Sequence, residues 1–150
     1  MITEDYVSFR TAKLLDKKGY PQDFRETCGT IYPVKGKFGK TICRYNPSAP
    51  ERDKYAISAP TLSLAQKWLR EEKNIAVIVE EFELLDEYNV FFSHIINMNF
   101  PYSDISCDKR DEIWRSRHIA DETGKNWESD NYPKYEEALE VGINKALELI

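Results

Sequence analysis

Residues 58–85 read SAPTLSLAQKWLREEKNIAVIVEEFELL, and the change of pattern halfway along this stretch decides the fold class. In its first half Leu64, Ala65, Trp68 and Leu69 fall at i, i+1, i+4 and i+5, one narrow apolar stripe on a helix. Ser58 or Thr61 can cap that helix, Pro60 suits a first turn, and Asn74 suits a left-handed exit. The second half opens Ile75-Ala76-Val77-Ile78-Val79, apolar on both faces and rich in β-branched residues. Such a run predicts a strand buried on both sides, in the middle of a sheet. Helix and strand are the expected centre of the core. No catalytic group sits in the apolar part.

Working outward, Asp86-Glu87-Tyr88-Asn89 is a turn, and VFFSHIIN (residues 90–97) is a strand that forms an antiparallel hairpin with residues 75–85. Upstream, residues 27–34 and 38–45 are β-type runs separated by Lys35-Gly36-Lys37, a hairpin turn. Pro33 makes the first of these an edge strand or a broken one. Residues 46–54 and 100–110 are loops. Residues 113–119 alternate, and Asp121-Glu122-Thr123-Gly124-Lys125 is a turn before Trp127, which allows a third hairpin.

The two ends are helical. Residues 3–18 form the first helix, with Thr3 as cap, Val7, Thr11, Leu14 and Leu15 on one face, and Gly19 just past its end. In the last helix Tyr135, Ala138, Leu139, Gly142, Ile143, Ala146 and Leu147 follow i, i+3, i+4, i+7, i+8, i+11, i+12. Pro133 fits its first turn, and Glu136 and Glu137 suit the N-terminal dipole. Gly142 on the apolar face costs about 1 kcal/mol against alanine, so close approach to a neighbouring strand is expected there.

At 150 residues, with 41% hydrophobic and 13% aromatic content, the chain is expected to be a single folded domain spanning residues 1–150. A net charge of −5 gives no general support for nucleic-acid or membrane binding. The acidic, polar start MITEDY is unlike a secretory signal, and no apolar run approaches a membrane span. Cys28, Cys43 and Cys107 are odd in number and widely spaced, the pattern of reduced thiols in a cytoplasm.

The segments SAPTLSLAQKWLREEKNIAVIV, YEEALEVGINKALELI and VSFRTAKLLDKKGY resemble a family of short uncharacterised proteins widespread in Bacteroidetes genomes, prophages and phages. That resemblance covers about half of the chain and implies a source and a cytoplasmic compartment. It carries no functional residues. YEEALEVGINKALELI, after a strand-rich segment, is also similar to the end of HicB-type antitoxin domains, although their aromatic–proline strand pattern is missing here.

The chain has no G-x-S-x-G, P-loop or G-x-G-x-x-G. His94 and His118 with the three cysteines match no zinc-ligand spacing. His94 alternates with Phe92 and Ile96 on a strand and reads as a satisfied, half-buried histidine. Glu80, Glu81, Glu83, Asp86 and Glu87, at a strand end and its turn, read as solvated charges. No catalytic residue, metal or cofactor is therefore assigned. Lys35, Lys37, Lys40 and Arg44 lie in an acid-free stretch with Tyr32, Phe38 and Tyr45, the minimum for single-strand nucleic-acid binding. A lysine-guarded edge hairpin is the plainer reading of Lys35, Lys37, Phe38, Lys40 and Arg44.

The expected fold is α+β, a mostly antiparallel sheet of four to five strands with three helices packed on one face. The expected function is that of a small cytoplasmic accessory protein, non-enzymatic, that binds another protein or regulates it. The alternative is a nucleic-acid-binding module built on the basic hairpin. An enzyme with a site assembled from scattered residues is the third class.

Overall fold

The computed structural model describes residues 5–22, 30–34, 37–42, 57–84, 88–99 and 117–150. It is α+β, with three helices among the described residues and antiparallel strand pairing throughout. The chain packs as two compact units, residues 1–65 and residues 66–150. Among the described residues the strands form two sheets, one of three strands and one of two. This replaces the expected single sheet of four to five strands.

In the first unit, α1 (Phe9–Lys17) starts later than the expected Thr3. Ser8 is its N-cap, and its Oγ accepts from the Thr11 N–H at 3.4 Å. The residues ahead of Ser8 pair instead with the approach to α2. Val7 N–H donates to Pro60 O at 3.0 Å, and Leu62 N–H donates to Asp5 O at 2.9 Å. A serine cap satisfies a helix N–H as well as Thr3 would, and it frees Tyr6 to bridge Thr61. At the other end Gly19, with φ +87°, follows the cap as expected, and Tyr20 N–H closes on Leu15 O at 2.9 Å.

Strand β1 (Thr30–Val34) pairs antiparallel with β2 (Lys37–Ile42) as the first hairpin requires, except that Lys37, expected in the turn, is in β2 opposite Val34. A two-residue strand, β3 (Ile57–Ser58), pairs with β1 at Thr30 and Ile31. Thus β1 is central only at its start. The register shifts between Ile31 and Pro33, and Pro33 lies past the end of the β3 pairing, where its missing N–H leaves no ladder bond unmade.

Helix α2 (Leu62–Glu72) begins in one unit and ends in the other. Thr61 caps it, its Oγ1 accepting from Leu64 N–H at 3.3 Å, whereas Ser58 belongs to β3. Asn74 leaves it at φ +54°, the expected left-handed exit. Ala65 and Leu69 are fully buried, while Leu64 and Trp68 are half-buried. Trp68 therefore stands at the margin of the stripe, with Lys73 Nζ 5.0 Å from its ring centroid.

In the second unit β4 (Ile75–Leu84) and β5 (Tyr88–Asn97) form the expected antiparallel hairpin, in unbroken register from Ile75↔Asn97 to Leu84↔Tyr88. Residues 117–132 lie along the other side of β5. Ile119 N–H donates to Ile95 O at 3.0 Å, Ser129 N–H to Ser93 O at 2.9 Å, and Phe91 and Tyr132 exchange both bonds at 2.8 Å. Between the Ile96↔His118 and His94↔Glu128 bridges the chain makes a small hairpin of its own, closed by Ala120↔Asn126. Its turn is the expected one: Asp121 Oδ1 accepts from Thr123 N–H at 2.8 Å and Lys125 N–H at 3.1 Å, and Gly124 takes φ +80°.

Helix α3 (Tyr135–Glu148) packs on β4 and β5. Ala138, Leu139, Gly142, Ile143, Ala146 and Leu147 are all buried, as their spacing predicts. Tyr135 is 41% exposed and meets Phe91 edge-on at 6.1 Å. Gly142 faces Val77 and Ser93, so the expected close approach to a strand is present.

Candidate functional site

Alternation along a strand assigns the two faces of the β4–β5 hairpin. Val77 and Ser93 meet Gly142 of α3. The opposite face therefore carries Ala76, Ile78, Glu80 and Phe82 of β4 with Phe92, His94 and Ile96 of β5. The bridges His94↔Glu128 and Ile96↔His118 bring Glu128 and His118 to that same face.

His94 is buried, with only 4% of its surface exposed. Its ring lies 4.9 Å from that of His118 at an interplanar angle of 70°, and 6.3 Å from Phe92. Glu80 Oε1 stands 3.7 Å from His94 Nε2, too far for a hydrogen bond. Among the described residues Nε2 has no hydrogen-bond partner. The expectation of a satisfied, half-buried histidine is thus corrected: the imidazole is buried and one nitrogen is unmatched. Burial holds its pKa below the ordinary value, with His118 acting the same way and Glu80 and Glu128 opposing. Burial thus biases His94 toward its uncharged form. No set of three or more His, Cys, Asp or Glu side chains suited to a metal ion occurs among the described residues.

Phe92, His94 and Ile96 share a face, as alternation requires. The pairing of His94 with His118 had no signal in the sequence, because the register of residues 117–132 is set across a long connection. Glu80, Glu81 and Glu83 are exposed, as expected of solvated charges. Asp86, Glu87, Cys28, Cys43 and Cys107 lie outside the described residues, as do Lys35 and Arg44 of the basic stretch. Lys37, Phe38 and Lys40 lie on β2, an edge strand of the three-stranded sheet.

The second feature of this unit is the outer edge of β4. The sequence places Ile75–Val79 in the middle of a sheet, but β5 is the only strand paired with β4 among the described residues. Ile75 and Val77 are buried, whereas Ala76, Ile78 and Val79 are half-buried. Gln66 of α2 caps the edge near its start, donating from Nε2 to Val77 O at 2.7 Å. Beyond that point Glu80 to Glu83 are all exposed, Phe82 at 56%. A strand edge left unpaired among the described residues, with an apolar ring among carboxylates, is suited to contact with another chain.

No protein-family model matches this chain, and no curated protein or solved structure matches it either.

Proposed function

We propose that this protein is a small, non-enzymatic accessory protein that acts by binding another protein in the cytoplasm. It is of the kind carried by Bacteroidetes phages and prophages, whose proteins three of its segments resemble. The observation that carries the reading is the outer edge of β4, which meets no second strand among the described residues and carries the exposed Phe82 ring. The buried His94 does not compete with it as a catalytic base, since its unmatched nitrogen is shut away from solvent. Among the described residues no helix is long and apolar enough to cross a membrane.

The test is a photo-crosslinking amino acid at position 82 in the full chain, expressed in the cell that carries the gene. One adduct should dominate, be identified as a single polypeptide, and form again from the two purified proteins. It should disappear when the crosslinker is moved to position 13, on the exposed side of α1. Adducts to nucleic acid in place of protein, or no adduct at all, would overturn the reading.

A further inference from the structure

The pairing around β5 shows which backbone groups of β4 are open. In an antiparallel ladder the N–H and C=O of one residue point to the same side, and those of its neighbour point to the other. Phe91, Ser93 and Ile95 direct theirs to residues 119–132. Their register partners on β4 are Glu81, Val79 and Val77. These three therefore turn their backbone groups away from β5, as does Glu83 further along. The Gln66 bond to Val77 O is direct evidence of that geometry. From Val79 to Glu83 the outward groups meet no strand among the described residues.

We propose that β4 receives an extended basic segment of a partner protein as an added strand along Val79, Glu81 and Glu83. This rests on the protein-binding reading above and names the chemistry of the occupant. The backbone supplies the ladder, as in other strand-addition complexes. The charge selects the guest: Glu80, Glu81 and Glu83 are all exposed on this short stretch. Opposite charges across paired strands stabilise and like charges destabilise. A second copy of β4 laid antiparallel on the first sets carboxylates against carboxylates. A strand bearing lysine or arginine at alternate positions meets Glu81 and Glu83 on one face, and the apolar residues between them lie on the other face with Phe82.

The geometry also supplies a selective variant. The Glu81 N–H points outward, so Glu81→Pro removes a donor from the open edge and none from the β4–β5 ladder. The probe is a fluorescent peptide of alternating lysine and valine, compared with a peptide of the same composition in separate blocks. Binding is followed by anisotropy, and amide protection by hydrogen exchange. The alternating peptide should bind at least about tenfold more tightly than the block peptide, and it should protect the amides of Val79, Glu81 and Glu83. Glu81→Pro, with unchanged circular dichroism, should weaken it by about tenfold or more. If Glu81→Pro unfolds, Glu81→Lys with Glu83→Lys provides the same test through charge. Equal binding of both peptides, no binding, or protection elsewhere would overturn strand addition. A homodimer by light scattering that Glu81→Pro dissolves would make the occupant a second copy and overturn the basic guest. A crosslinked protein partner at position 82 that Glu81→Pro leaves untouched would sink strand addition while protein binding stands.

Discussion

A Cβ built on Gly142 would stand 2.5 Å from Val77 Cγ1 and 2.8 and 2.9 Å from Ser93 Oγ and Cβ. These neighbours are buried on paired strands and have little room to retreat. Gly142→Ala gains about 1 kcal/mol of helix propensity but overpacks a full interface, which costs about 1–3 kcal/mol. Urea denaturation should show a net loss for Gly142→Ala and a larger one for Gly142→Leu; a gain in either would refute the close contact. His94 gives a second expectation at this scale. Its folded pKa is lowered from 6.5 by burial, so the unfolded chain takes up the proton first as pH falls. The contribution of His94 to stability is full above about 6.5, declines as pH falls toward the folded value, and is flat below that value. Urea midpoints measured from pH 7 downward should fall less steeply for His94→Phe than for the wild type. Equal slopes would show that His94 titrates normally.

Among the elements, helices were the most legible. In α3 each buried position was named by the 3.6-residue repeat, since one face meets one sheet and the repeat reports that directly. Stripe and depth are different quantities, however, and α2 shows it. Trp68 lies on the stripe yet is half-buried, so Trp68→Ala should cost about half of the 3–5 kcal/mol lost on emptying a fully buried site, or about 1.5–2.5 kcal/mol. Leu69→Ala, at a position with no exposure, should cost about 2–5 kcal/mol. The reverse order in denaturant would refute this placement. Strands were legible as elements but not as neighbours. Ile75–Val79 carries the apolar character of a central strand, while its pairing partners are a long-range property. Two-residue β3 has too little pattern to announce itself. The His94–His118 contact was hidden for the same reason.

At the scale of the whole molecule, net charge was a poor guide to where charge sits. The chain totals −5, but Lys35, Lys37, Lys40 and Arg44 are close in sequence within residues 1–65, and Glu80, Glu81 and Glu83 are close in sequence within residues 66–150. An oligonucleotide should meet only the first cluster. Its anisotropy at physiological salt should show binding no tighter than the non-specific range of about 10⁻⁴ to 10⁻⁶ M. A sub-micromolar, salt-sensitive complex lost in a folded Lys35/Lys37/Lys40→Glu variant would put nucleic acid ahead of protein as the partner. The interruption beside β5 bears on the molecule's history and handling. The sheet pairs at His118, lets the chain go, and takes it up again at Glu128, so the ladder does not count the residues between. The Asp121–Lys125 hairpin is a cassette: its exposed tip at Gly124 can lengthen or accept an epitope tag without moving a register position, and descendants of this gene are free to differ in length there.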